Sequence, residues 1–246
     1  FPALGIAGAA IGSSLAELVS MLFFIIYTTR RIDCARYGLN QLVSFRWTEL
    51  KRIMNVSLWT MIQNAISIST WFLFFIFIEH LGERSLAITN IVRNVSSIPF
   101  MTITAFASTC SSLVSNLIGS GEARYVMPTI RQHVQLCTCI VWPVILLIAC
   151  LPTYVLRIYT DMPDLVEAAV PTLWVLCSSY LFQCAGFIFF QSVSGTGDTR
   201  SAFLLEIVAL TCYLIFIVTV ILLLKMDVAV CWFAEHVYAG AIGLLS

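Results

Sequence analysis

The sequence predicts an all-α integral membrane protein with about seven transmembrane helices, and composition, the count of long apolar runs and the placement of charge each point there. Of its 246 residues, 60% are hydrophobic and only 11% are charged, and mean hydropathy is +0.95. A water-soluble domain carries about 25% charged residues, so lipid must solvate much of this surface. Thirteen basic and thirteen acidic side chains cancel to a formal charge of zero, leaving no basic excess to hold a nucleic acid.

A helix needs roughly 20 apolar residues to cross the hydrocarbon core, and the stretches 4–27, 53–78, 85–118, 133–156, 168–193, 201–224 and 228–245 qualify. The first opens with Gly5, Gly8 and Gly12 and runs into a continuous apolar segment without the pattern of a signal peptide. The second contains an unusually polar run, Gln63-Asn64 with Ser67, Ser69 and Thr70, and polar faces of this kind turn toward other helices or a wet cavity. The third is overlong and has Pro99 near its middle, where a lost backbone hydrogen bond predicts a kink or an interfacial extension. The fourth carries Pro143 and Pro152. Between the fifth and sixth lies Ser194-Gly195-Thr196-Gly197-Asp198-Thr199-Arg200. It lacks the lysine of a phosphate loop and reads as a turn, with Asp198 or Thr199 capping the next helix. A start at Phe1 without methionine and a stop at Ser246 inside an apolar run are what a fragment is expected to show.

Lys and Arg are retained on the cytoplasmic side of short loops. Arg30, Arg31, Arg36, Arg46, Lys51, Arg52, Arg124, Arg131 and Arg200 fall on one side, against Arg84, Arg157 and Lys225 on the other. The loop 30–52 is therefore expected to be cytoplasmic and Phe1 to lie outside. The nine cysteines are scattered singly, without C-x-x-C spacing, and read as small reduced hydrophobes rather than as a disulfide framework or a zinc site.

With the loop charges set aside, Glu17, Arg93, Glu206, Glu235 and His236 remain at membrane depth. Each costs a few kcal/mol facing lipid, so each is expected to face protein or water. Glu17, Glu206 and Glu235 are candidates for ion coupling, the alternative being structural charges satisfied by neighbouring helices. Gln63, Asn64, Trp71, Asn90 and Arg93 are candidates to line a substrate cavity. Asn90 and Asn94 are spaced i, i+4 and share a helix face, which serves a cavity or helix packing equally well, while Trp59, Trp71, Phe72 and Tyr180 suit flat organic cations. Enzyme signatures such as H-E-x-x-H, G-x-S-x-G and the Walker sequence do not occur, and no metal site is expected.

Several segments, in order, resemble the multidrug and toxic compound extrusion (MATE) family. GIAGAAIGSSLAE is similar to that family's sixth helix; SLAITNIVRNVSSIPF followed by SSLVSNLIGSGEA resembles its eighth helix and the loop after it; SVSGTGDTR resembles the end of its tenth helix and CWFAEHVY the start of its twelfth. The resemblance implies a twelve-helix antiporter of two six-helix lobes, exporting drugs or organic cations in exchange for H+ or Na+ by alternating access. It places residues 1–29 as the last helix of the N-terminal lobe, 30–52 as the basic inter-lobe loop and 53–246 as the C-terminal lobe, in a bacterial inner membrane. It implies as partners the organic substrate, membrane lipids and a missing N-terminal lobe of the same chain, with no cofactor beyond the coupling ion. Some family members carry an acid in the seventh helix and another in the tenth, whereas the matching stretches here, 63–70 and 182–190, contain none. Coupling within this half would then fall to Glu17, Glu206 or Glu235. The alternative is a flippase of lipid-linked oligosaccharide or peptidoglycan precursor with a related fold. It would need several cavity cations for pyrophosphate, and only Arg93 offers one.

Overall fold

The computed structural model describes residues 5–33, 35, 38 and 45–246; the expectations that rest on Phe1, Leu4 and Arg36 lie outside the described residues. Regular structure among those residues is helical throughout, because a segment in lipid must pair its backbone N–H and C=O groups within itself. Among the described residues seven helices are long and apolar enough to cross a membrane, the number that the apolar runs predict. The chain divides into two compact units, Phe1–Leu50 and Lys51–Ser246.

The first unit holds α1, Gly5–Arg31. It ends on Arg30 and Arg31, where cations complement the negative end of the helix dipole. Phe23, Phe24 and Tyr27 on this helix are exposed.

The second unit comprises most of α2 (Trp47–Glu79), then α3 (Glu83–Gly119), α4 (Val126–Cys150), α5 (Pro152–Arg157), α6 (Pro163–Gly195), α7 (Thr199–Ile217), α8 (Val228–Cys231) and α9 (Ala234–Leu245). At 37 residues, α3 continues as one helix through Pro99 and is about 55 Å long, well beyond the roughly 30 Å hydrocarbon core. A proline displaces the backbone hydrogen bonds of the turn before it. Here Tyr180 on α6 donates its hydroxyl to the carbonyl of Ser96 at 2.9 Å, so a neighbouring helix supplies a partner at that turn.

The fourth predicted span, 133–156, requires correction at both ends. A 3-10 turn at Ala123–Tyr125 leads directly into α4, and the helix stops at Cys150. Leu151 leaves helical geometry with φ −122° and ψ 46°, and Pro152 opens α5, as expected because the residue before proline is driven out of the α region. The last predicted span is also interrupted. After Asp227 caps the Val228 amide at 2.8 Å, α8 lasts one turn before α9 begins at Ala234. The sixth ends in a π-helical stretch, Val218–Leu223.

The helix at the centre of the second unit is α6, which packs on α3, α4, α5, α7, α8 and α9. Its buried residues, Leu173, Leu176, Tyr180, Gln183, Cys184 and Ile188 among them, cover a broad arc of the helix and leave a narrower outer side where Trp174, Leu181 and Phe182 are exposed. Two glycines permit close approach. A methyl group added to Gly195 would lie 2.5 Å from the Ser111 carbonyl oxygen of α3, and one added to Gly186 would lie 3.3 Å from the Ala239 carbonyl oxygen of α9. Without a hydrophobic drive between helices in lipid, such small-residue contacts hold a bundle together.

Candidate ion-coupling site

On α7, Asp198 caps the helix by accepting from the Ser201 amide at 3.1 Å and the Ser201 hydroxyl at 2.6 Å. The exposed carboxyl of Asp198 is held below the usual carboxylate range, first by the Ser201 hydroxyl and then by its amide. Two turns beyond the cap, Glu206 shares the inward stripe of Ala202, Ala209, Tyr213 and Ile217, a spacing that points each side chain to one face.

Glu206 is 2% exposed. Its Oε1 accepts from the Ser67 hydroxyl of α2 at 2.6 Å, and the Tyr238 hydroxyl of α9 lies 3.1 Å from both Oε1 and Oε2. The Ser67 oxygen also lies 2.9 Å from the Gln63 carbonyl, so its single proton faces two acceptors. One carboxyl group thus ties α2, α7 and α9 together, and no basic side chain is among its partners in the described residues. A buried carboxyl without a basic partner balances its charge with a proton or a small cation.

The second carboxylate, Glu235, is half-buried in the first turn of α9 and accepts from Gln183 Nε2 of α6 at 3.1 Å. Gln183 is in turn 3.5 Å from the Ser179 hydroxyl. Glu235 and Tyr238 are i, i+3 neighbours on one α9 face, so α9 presents one carboxylate and the clasp of the other along a single edge. Beside them His236 Nε2 lies 2.9 Å from the Ser178 hydroxyl. The Tyr213 ring meets that of Tyr238 edge-on at 6.3 Å, and the Tyr213 hydroxyl and Gln63 Oε1 are buried without a hydrogen-bond partner among the described residues.

The structure therefore brings Glu206, Glu235 and Gln63 into one unit on the inner faces of α2, α6, α7 and α9. Glu17 lies on α1, in the first unit, and is exposed there. Of the cavity candidates, Trp71 and Arg93 meet. The Arg93 guanidinium carbon lies 5.9 Å from the Trp71 ring centroid and 5.3 Å from that of Phe75. Helical rotation of about 100° per residue splits the adjacent pair, leaving Gln63 buried and Asn64 exposed, while Asn90 and Asn94, on one face, differ in depth along the helix, Asn90 being half-buried and Asn94 exposed. Sequence reasoning missed Tyr238, Gln183 and Ser178. A tyrosine three residues after an intramembrane glutamate was the available signal for Tyr238, but nothing in the linear order says that it serves Glu206 rather than a lipid headgroup.

The MatE family profile matches residues 59–222. The chain is 24% identical over 212 residues to the probable multidrug resistance protein NorM of Thermotoga maritima, with 85% of this chain and 45% of that protein covered. Against the multidrug export protein MepA of Staphylococcus aureus it is 22% identical over 205 residues, covering 83% and 45%. The chain thus spans about half the length of these relatives. A solved multidrug resistance MATE family transporter in its outward-facing conformation shares the fold, with a TM-score of 0.68 at 19% identity over 78% of this chain and 43% of that one. Seven apolar helices, that shared fold and the profile match across the greater part of the chain lead to one conclusion: this multi-pass membrane protein belongs to the MatE family.

Proposed function

We propose that this chain is part of a secondary active antiporter that exports drugs or other organic cations in exchange for H+ or Na+, with Glu206 and Glu235 carrying the coupling ion. The observation that carries the reading is the Glu206 carboxyl, buried among α2, α7 and α9 without a basic partner and clasped by hydroxyls from two of those helices. Relatives named as multidrug resistance and export proteins support the substrate class. On this reading residues 53–246 form the C-terminal lobe, 1–29 supply the last helix of an N-terminal lobe and 30–52 the cytoplasmic loop between them, in the inner membrane of a bacterium. On this reading the coupling ion is the only cofactor.

Alternating access follows from differential binding. Charge balance at Glu206 changes when the ion arrives or leaves, the hydroxyl donors from α2 and α9 respond, and the balance between outward-open and inward-open states shifts only by the difference in ion affinity between them. The test is drug efflux by the full-length protein in cells. Glu206→Gln and Glu235→Gln are each expected to lower efflux at least about tenfold, which corresponds to roughly 1.4 kcal/mol. Unchanged efflux in both, with Glu17→Gln also silent, rejects a coupling role for this half.

A further inference from the structure

Arg93 is a cation at membrane depth whose charge the carboxylate cluster does not use. It lies ten residues into α3, about 15 Å from the start of that helix, and is half-buried. Its contacts among the described residues are the two α2 rings, Trp71 at 5.9 Å and Phe75 at 5.3 Å, and those rings meet each other edge-on at 4.7 Å. A ring can satisfy the face of a guanidinium, but five N–H donors project from its edge and need oxygen acceptors. Held in a fixed plane, that edge matches two oxygens of one carboxylate or phosphate. Asn90 precedes Arg93 by three residues, is half-buried, and brings an amide donor to the same helix face. The substrate class named above is cationic, and a guanidinium repels cations.

We infer that Arg93, with Trp71, Phe75 and Asn90, forms a subsite for an oxyanion attached to an apolar or aromatic body. The aromatic body stacks beside the α2 rings and the carboxylate or phosphate lies in the guanidinium plane. The oxyanion belongs either to a compound carried across the membrane or to the headgroup of a bound lipid, and its chemistry is the same in both. The inference does not depend on Glu206 or Glu235.

The probe is 2-naphthoate against its neutral analogue 2-naphthalenemethanol, titrated into the full-length protein in phosphatidylcholine nanodiscs, with phosphatidylglycerol retained through purification counted in parallel by mass spectrometry. For a carried compound, wild type binds the naphthoate about tenfold tighter than the alcohol, Arg93→Gln erases that preference, and Arg93→Lys, which retains charge but not the planar fork, retains part of it. For a lipid headgroup, the naphthoate shows no preference and Arg93→Gln loses the retained phosphatidylglycerol. Should neither quantity depend on Arg93, the subsite does not exist. If Arg93→Gln fails to fold, an Arg93→Lys protein that matches wild type in both measurements overturns the inference equally.

Discussion

Tyr238 donates to both oxygens of Glu206, and Ser67 donates to one of them. Removing a donor from a buried carboxyl costs about 1–3 kcal/mol. Tyr238→Phe and Ser67→Ala are therefore each expected to lower the thermal midpoint of the detergent-solubilised protein. Because both act on one acceptor, their effects should couple by about 0.5–3 kcal/mol, and in a Glu206→Gln background the coupling should fall toward zero; strictly additive losses would show that the clasp is not shared. Asp198, outside the membrane span, gives a pH prediction. Its carboxyl is depressed by the Ser201 donors, so the folded protein holds the charged form better than the unfolded chain does. The cap's contribution is present above the unfolded value of about 3.9 and fades as pH falls through the lower folded value. Thermal midpoints of wild type and Asp198→Ala should thus differ at neutral pH and converge in acid.

The contacts of α6 with α3 and α9 depend on the absence of a side chain. A methyl group at Gly195 meets the backbone of Ser111 at 2.5 and 2.9 Å, one at Gly186 meets the Ala239 carbonyl at 3.3 Å, and one at Gly243 comes no nearer than 3.7 Å, to the Gly186 Cα. Backbone cannot rotate aside as a side chain does, so overpacking at Gly195 is expected to cost about 1–3 kcal/mol. The expected order of destabilisation is Gly195→Ala, then Gly186→Ala, with Gly243→Ala near neutral, read from melting in detergent. Equal midpoints for all three would mean that the helices separate at no cost. Such approach distances were not legible beforehand. Gly195 reads in sequence only as part of a turn, and the same residue in space is where two helices touch. The breaks at Leu151 and at Trp232-Phe233 differ in legibility too. Pro152 announces the first through its missing N–H and its effect on the preceding residue, whereas no residue at 232–233 has that property.

At the scale of the whole molecule, the charge asymmetry of the loops fixes an expected orientation. In a cysteine-free background, single cysteines placed at Ser120 and Thr196 should react with a membrane-impermeant maleimide only from the cytoplasmic side, and one at Thr160 only from outside. All three positions are outside or at the ends of long helices; labelling of Thr160 from the cytoplasm would invert the topology and with it the direction assigned to transport.

The sequence by itself determined the solvent and the class of secondary structure. Long apolar runs exclude a watery surface, and lipid leaves the backbone little choice but the helix. It also named Glu206 and Glu235 as residues needing an explanation, because a carboxyl at membrane depth is costly wherever it points. Which helices answer that cost was decided only by the tertiary structure. Ser67 and Glu206 are 139 positions apart, and Gln183 and Glu235 are 52 apart. Their meeting is set by the packing of α2, α6, α7 and α9, since a helix rotates about 100° per residue and its polar positions acquire partners only when neighbouring faces are in place.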